Sequence, residues 1–254
     1  MIPRPKTGFK QKSDDELMKA HISMVDKYTD LLYEDKYEEK VRGARLLLYL
    51  MVDPQNMYHL LSEKADLLDI IARTLKDEHK KNMELSIHLL AFFYSISYYE
   101  EFHDFIISHS IGETCLNVIE FQYAKFIIRR NEIILKENEL MTTNPMGYQK
   151  ELDKFLFLIR KQDRILRTAF TILMHLAEDQ NVEKKMVKRD IIPLLVKNLD
   201  RTNINLIVVL LLFIKKLSIY DVNKDALIKN NVLGEFIKYL NHFILLKLSI
   251  KKII

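Results

Sequence analysis

The run EFHD, residues 101–104, contains the residue types of a metal site, with the carboxylates of Glu101 and Asp104 on either side of His103. Zinc sites arrange such side chains tetrahedrally around the ion. Successive residues on a helix turn by about 100°, so three ligands this close in sequence diverge. We therefore interpret the run as a solvated helix face. The eight histidines also include no HExxH pair, and the sequence predicts neither a metal nor another cofactor.

Two further places in the chain contain nucleophilic residue types. Ser108, His109 and Ser110 are hydrolase residue types, but no strand–turn–helix pattern surrounds them, and a helix-end cap is the expected role. Cys115 falls inside an apolar helical stripe and is expected to be a small buried core residue. The five glycines are scattered, so no phosphate-binding loop is predicted. The sequence therefore predicts a protein that is not an enzyme.

Composition indicates the fold class. Five glycines and five prolines in 254 residues are too few for a fold with many tight turns, which favours an all-α chain. With 48% apolar and 29% charged residues the chain is expected to be globular. A single cysteine and the absence of a signal-peptide core near the N-terminus predict a cytoplasmic protein. The net charge of +4 is spread among alternating signs, so no nucleic-acid partner is expected.

A nine-residue phrase recurs along the chain. Its members have apolar residues three and four apart and close on an aliphatic residue, which is typical of the inner face of a short helix. The four copies are LLDIIARTL from Leu67, IGETCLNVI from Ile111, IIPLLVKNL from Ile191 and VLGEFIKYL from Val232. Two of the intervals are close to 42 residues, and the third fits the same period with an insertion of about 38. Periods of this length are typical of armadillo and HEAT repeats.

Longer helical segments follow three of the phrases, and another precedes the first. Three helices per unit, the last one longest, predict an armadillo-type right-handed α-solenoid of about four repeats over residues 28–240. Residues 1–27 are expected to be partly disordered and then helical. The run LIVVLLLFI, residues 206–214, is too short to span a membrane and is predicted to be a third helix. Its length requires at least one apolar side chain to face a concave groove.

The insertion covers about residues 122–160, in the second full repeat. Asn144, Pro145 and Gly147 predict a turn between two helices, which gives a long helical hairpin. Its seam is expected to bring apolar side chains of the first helix, Phe126, Ile127 and Ile134, against those of the second, Phe155, Phe157 and Leu158. The hairpin is either a self-packed projection or a partner site.

The groove lined by the third helices is the predicted partner-binding site. Aligning these helices places the following candidate residues on it: Arg42, Arg45, Tyr49, His88, Ser95, Thr171, His175, Leu212 and Lys216. In nuclear-import adaptors the same positions carry Asn and Trp. This chain has neither residue there and contains no Trp, which disfavours a receptor for basic import signals.

Several segments together resemble one family. YTDLLYEDKYEEKVRGA, FHDFIISHSIGETCLNVI, LMHLAED and LVKNLD followed by FIKKLSI are similar to the N-terminal armadillo region of kinesin-associated protein, the non-motor subunit of heterotrimeric kinesin-II. The resemblance spans roughly residues 28–240, including the place of the insertion. It implies a non-catalytic adaptor that joins motor-subunit tails to cargo for intraflagellar transport along microtubules, with a location on the cytoskeleton or in the cilium. The alternative is a generic armadillo scaffold, such as a nuclear-import adaptor or a small-GTPase regulator.

The end of the chain departs from that pattern. Residues 241–254 form an apolar and basic tail. We expect it to fold back over the open end of the last repeat; the alternatives are insertion into an anionic membrane surface and an exposed segment that promotes association.

Overall fold

The computed structural model of the chain describes residues 20–141 and 143–251, with side chains up to Asn241 except that of Ala65. Every regular element in these two ranges is helical, and they contain no strand, so the predicted all-α class is confirmed. The predictions for residues 1–19, and for the side chains of the tail from His242 onward, lie outside the described residues.

Thirteen α-helices are formed by the described residues, with four short 3-10 turns between them. The helices are α1 Val25–Asp30, α2 Tyr37–Leu50, α3 Pro54–Glu63, α4 Ala65–Glu78, α5 Met83–Ser97, α6 His103–Ser108, α7 Ile111–Leu140, α8 Pro145–Leu176, α9 Gln180–Lys188, α10 Ile191–Lys197, α11 Ile204–Leu217, α12 Asp221–Lys229 and α13 Val232–Lys251. The 3-10 turns are Ile22–Met24, Leu31–Tyr33, Glu100–Phe102 and Asn198–Asp200.

The chain divides into two compact units, which end and begin at Ile111 and Gly112. In the N-terminal unit α2 packs against α5, and α1 and α4 pack against this pair. In the C-terminal unit α8 packs against α11. The cores consist of aliphatic and aromatic side chains from these helices, such as Phe92 and Phe93 in the first unit and Phe170 and Phe213 in the second.

The same backbone turn recurs ahead of three of the repeated phrases. Ser110, Asp190 and Asn231 have φ of 56°, 59° and 50°, the left-handed region that costs an L-residue about 1–2 kcal/mol. Each immediately precedes a helix, α7, α10 or α13. Their spacing of 80 and 41 residues equals that of the phrases they precede. Sequence repeats and backbone geometry therefore share one register.

Polar contacts repeat with the same period. Side chains that are distant in sequence pair across 38 to 40 residues within each unit. The pairs are Asp26–Lys64, Lys40–Glu78 and Asp69–His109 in the N-terminal unit, and Asp163–Arg201, Glu178–Lys216 and Glu183–Asn223 in the C-terminal unit. Segments 38 to 40 residues apart therefore lie side by side within each unit.

The insertion forms two long helices, α7 and α8, joined by a turn at Asn144. The Asn144 side chain accepts a hydrogen bond from the backbone N–H of Gly147, and Pro145 occupies the first turn of α8. Phe126 is buried and stacks on Phe155, with ring centres 6.3 Å apart.

Two of the predicted seam residues point elsewhere. Ile134 is 48% exposed and Phe157 is 60% exposed. Phe157 lies two positions after Phe155, about 200° around the helix, so both rings cannot face α7. Ile134 is rotated by about 80° from Phe126 on α7 for the same reason.

The backbone of the tail continues α13 as far as Lys251. The segment from Glu235 to Lys251 contains no glycine or proline to interrupt the helix, and the fold-back of the tail over the last repeat stays a prediction. None of the helices in the described part of the chain has the length and hydrophobicity needed to cross a bilayer.

Candidate protein-docking surfaces

The side chains of the EFHD run form hydrogen bonds with different groups of the protein and do not converge. The Nε2 atom of His103 lies 2.8 Å from the carbonyl oxygen of Ser97, and Glu101 accepts a hydrogen bond from the Tyr58 hydroxyl. That hydrogen bond to Glu101 raises the pKa of Tyr58. Among the described residues no group of three His, Cys, Asp or Glu side chains could hold a metal ion.

The structure places Asp69 beside the Ser108–His109 pair. Its carboxylate lies 3.1 Å from Nε2 of His109, while Nδ1 of His109 lies 2.6 Å from the carbonyl oxygen of Phe105. The Ser108 hydroxyl donates to the same carbonyl at 2.9 Å and also lies 3.1 Å from Nδ1 of His109. Both ring nitrogens of His109 lie near acceptor oxygens. These hydrogen bonds close the end of α6.

The N-terminal unit presents a polar strip along α2. Glu38, Arg42, Arg45 and Tyr49 lie four, three and four residues apart, within about 60° around the helix. Arg42 and Tyr49 are exposed and Arg45 is half-exposed. Arg42 pairs with Glu39 at 3.1 Å. Arg45 forms no hydrogen bond or ion pair with another described residue, so its charge is open to a partner.

The neighbouring helix α5 contributes less to this surface than the sequence predicts. Ser95 is half-buried, and its hydroxyl donates to the Ala91 carbonyl at 3.0 Å. His88 is only 9% exposed and lies 3.6 Å from Glu84, so it belongs to the core side of the helix. Tyr94 and Tyr98 are the exposed side chains of this region, at 43% and 74%.

In the C-terminal unit two ion pairs fix the register of α8 and α11. Asp163 pairs with Arg201 at 3.1 Å just before α11 begins, and Glu178 pairs with Lys216 at 3.4 Å near the ends of both helices. Both pairs join residues 38 apart. The two helices therefore run parallel, and residues 38 apart lie at the same level.

The exposed side of α8 is basic. Arg160, Arg164 and Arg167 are exposed and recur four and three residues apart, with Thr171 one turn further. All four lie within about 60° around the helix. None of the three arginine side chains forms a hydrogen bond or an ion pair with another described residue.

The exposed side of α11 is aliphatic. Ile204, Val208 and Leu212 follow one another at intervals of four and are 57%, 48% and 48% exposed. Lys216, one turn beyond Leu212, bonds Glu178, which continues the strip of α8. This ion pair joins the ends of the two strips, so they open onto one surface. We call it the α8–α11 surface: Arg160, Arg164, Arg167, Thr171, His175, Ile204, Val208, Leu212 and Lys216.

A buried cluster positions the base of the hairpin beside this surface. The guanidinium of Arg201 lies 3.7 Å from the centre of the Phe126 ring on α7, and Arg130 on the same helix bonds Asp200 at 2.9 Å. The amide of Gln162 donates to the backbone carbonyl of Gln122 at 3.2 Å. Both hairpin helices are thereby tied to the segment that leads into α11.

The N-terminal unit also contains a groove of about 520 Å³. Its walls carry the carboxylates of Asp26, Asp30, Glu63 and Asp66, and its floor includes Val25, Leu67 and Ile70. Asp26 is paired with Lys64 at 2.7 Å. The sequence analysis did not identify this groove, because its walls come from α1, the turn after it, and α3 and α4, which are separated by about thirty residues.

Thr171, His175, Leu212 and Lys216 were predicted from the sequence as candidate binding residues. The arginines of α8 and the exposed Val208 were not. A signal was available for the arginines. Their spacing of four and three residues in RKQDRILR aligns three like charges on one helix face. The exposure of Val208 could not be read from a run of nine apolar residues.

The model of the kinesin-associated protein (KAP) family matches residues 5–254, which is nearly the whole chain. It covers both compact units and the hairpin, in agreement with the resemblance seen in the sequence. The chain belongs to the kinesin-associated protein family, a non-catalytic accessory family of the kinesins.

Proposed function

We propose that the chain is a non-catalytic adaptor that binds the tails of kinesin-II motor subunits and links them to cargo for transport along microtubules in cilia. The observation that carries this proposal is the family match over residues 5–254. It implies a cytoplasmic protein on the cytoskeleton.

The helices are proposed to form armadillo-type repeats of a right-handed solenoid. The support is the recurrence of polar contacts between residues 38 to 40 apart and the recurring left-handed residue ahead of α7, α10 and α13. In such repeats the third helices bind extended or helical protein segments. The α2 strip and the α8–α11 surface are therefore the proposed docking sites.

Binding to motor subunits tests the proposal directly. The tagged chain is immobilised and incubated with the purified pair of kinesin-II motor subunits. We expect both motor subunits to be retained. Retention of neither, with the chain shown to be folded by circular dichroism, would contradict the proposal. Retention of basic import-signal peptides in their place would favour the import-adaptor alternative.

The α2 strip is tested by reversing its charges. Arg42→Glu with Arg45→Glu should weaken retention if an acidic segment of the motor subunits or cargo docks there. Arg73→Glu with Lys76→Glu is the matched control, since these residues are exposed on α4 in the same unit and the change in net charge is equal. Equal loss in both variants would show a general effect of charge.

A further inference from the structure

We propose that the α8–α11 surface binds an amphipathic helix of a partner protein, with acidic side chains against α8 and aliphatic side chains against α11. The proposal rests on the proposed adaptor function and names the chemistry of one of its partners. It differs from that function in a specific way, because it assigns the acidic and the aliphatic side of the partner to different helices.

The charge of α8 selects an acidic partner. Arg160, Arg164 and Arg167 are exposed and unpaired among the described residues, which leaves three guanidinium groups within two turns of one helix face. The unit that contains them is basic throughout: residues 112–251 contain 23 Lys or Arg and 16 Asp or Glu, a formal charge of +7. Residues 20–111 contain 10 and 16, a formal charge of −6. The net charge of the C-terminal unit therefore favours an acidic partner segment.

The exposed side chains of α11 select an aliphatic face. Ile204, Val208 and Leu212 lie on consecutive turns and are each about half exposed. A run of branched aliphatic side chains in water is unfavourable, and covering it stabilises a complex in proportion to the area removed from water. The neighbouring arginines are expected to set the orientation and register of the partner, because charges around an apolar strip determine register more than affinity.

The spacing of the arginines on α8 and of the aliphatic residues on α11 favours a helical partner segment. Arg160 and Arg167 are about 10 Å apart along α8, and Ile204 and Leu212 are about 12 Å apart along α11, at 1.5 Å per residue. A partner helix has the same rise, so acidic residues at i, i+4 and i+7 match the arginines. Because residues 38 apart lie at the same level, Ile204 lies about six residues further along than Arg160. Aliphatic residues near i+6, i+10 and i+14 on the adjacent face of the partner therefore match α11. Two parallel helices in contact leave a groove between them that a third helix fills.

The test uses two fluorescent 20-residue helical peptides that share a leucine face and carry either Glu or Lys on the adjacent face. We expect the full chain to bind the Glu peptide and to bind the Lys peptide at least tenfold more weakly, with an affinity for the Glu peptide that falls as salt is raised. Equal binding of both peptides, or no binding of the Glu peptide, overturns the proposal.

Charge reversal locates the acidic contact. Arg160→Glu, Arg164→Glu and Arg167→Glu together should weaken the Glu peptide by about tenfold or more and remove most of the salt dependence. The matched control is Lys184→Glu, Lys185→Glu and Lys188→Glu, which reverses three exposed charges on α9 in the same unit. The control should retain affinity within about twofold at physiological salt, where the Debye length is about 8 Å. Equal loss in both variants overturns the assignment to α8.

Serine substitutions locate the aliphatic contact. Val208→Ser with Leu212→Ser should weaken the Glu peptide by about tenfold and leave its salt dependence intact. Val222→Ser with Ile228→Ser is the control, because these side chains are 71% and 76% exposed on α12. Thermal unfolding of every variant shows that the fold is kept. An unchanged affinity of the first variant overturns the assignment to α11.

The outcomes separate this inference from the proposed function. If the wild-type chain binds the Glu peptide but no motor subunit, the surface is correct and the kinesin adaptor function is wrong. If motor subunits bind equally well to the wild-type chain and to the triple arginine variant, and the Glu peptide also binds both with equal affinity, the adaptor function stands and the surface assignment is wrong.

Discussion

Arg201 and Asp163 form an ion pair of 3.1 Å whose two side chains are 1% and 4% exposed. Burial raises the pKa of Asp163 and lowers that of Arg201, and the attraction between the two charges opposes both shifts. The Arg201 guanidinium also lies against the ring of Phe126. Arg201, a single residue three positions before α11, therefore connects both helices of the hairpin to the segment that leads into α11.

Removal of this arginine is expected to be strongly destabilising. Arg201→Ala leaves the buried carboxylate of Asp163 without its charge partner, and such losses typically cost about 3–5 kcal/mol of the free energy of unfolding. Chemical denaturation followed by circular dichroism measures the change. Arg129→Ala is the control, since Arg129 pairs with Glu132 in an exposed site and should cost less than about 1 kcal/mol.

A double substitution separates charge from packing at the same site. Arg201→Met with Asp163→Leu removes both buried charges and should recover most of the stability lost in Arg201→Ala. If Arg201→Ala costs no more than Arg129→Ala, the buried pair does not hold the hairpin base as we describe.

Gly43 is required by a close helix approach. A Cβ atom at this position would lie 2.6 Å from the carbonyl oxygen of Tyr28 and 2.8 Å from Cβ of Leu31, so α1 and the turn after it would have to move. We expect Gly43→Ala to lower stability by about 1–3 kcal/mol. Gly112→Ala meets its nearest atoms at 3.7 Å and should be neutral or slightly stabilising. Melting temperatures of the two variants provide the comparison, and equal values would contradict the close approach.

The only cysteine of the chain is expected to report unfolding. Cys115 has no exposed surface, and burial raises the pKa of its thiol to about 12. The thiol therefore stays protonated and inaccessible at pH 8, and an aromatic disulfide reagent should react with it only as fast as the protein opens. The reaction in denaturant provides the reference rate. Rapid labelling of the folded chain would show that the helix α7 does not bury this residue.

Glu151 on the hairpin should titrate abnormally. Hydrogen bonds from Lys136 and Lys154 lower its pKa from 4.5 to about 2. Because the folded-state pKa is the lower one, this interaction contributes fully above about pH 4.5 and is lost as the pH falls towards 2. Carbon NMR of the carboxyl group measures the value. Lys136→Met with Lys154→Met should return the pKa towards 4.5, and an unchanged value would rule out these hydrogen bonds in solution.

The helices themselves were predictable because they depend on local patterns. The sparse glycine and proline, the apolar period of three and four, and the turn residues Asn144 and Pro145 act within one or two turns of the chain. Helix α5, Met83–Ser97, is one of the longer helical segments predicted to follow the repeated phrases. The period near 42 residues was also visible, because stacked units must repeat their apolar faces.

The exposed and buried sides of individual residues were decided by tertiary structure. Apolar side chains in LIVVLLLFI are alike in sequence, yet Leu210 and Phe213 are fully buried while Val208 and Leu212 are exposed, since only packing against α8 distinguishes the faces of an all-apolar helix. In the sequence Arg201 resembles an ordinary surface charge. In the structure it is buried and pairs with Asp163, 38 residues earlier. The sequence by itself determined that the chain is all-helical. Tertiary contacts determined which side chains remain exposed for a partner. The exposure of a residue depends on side chains from distant parts of the sequence, and these are not visible in its own segment.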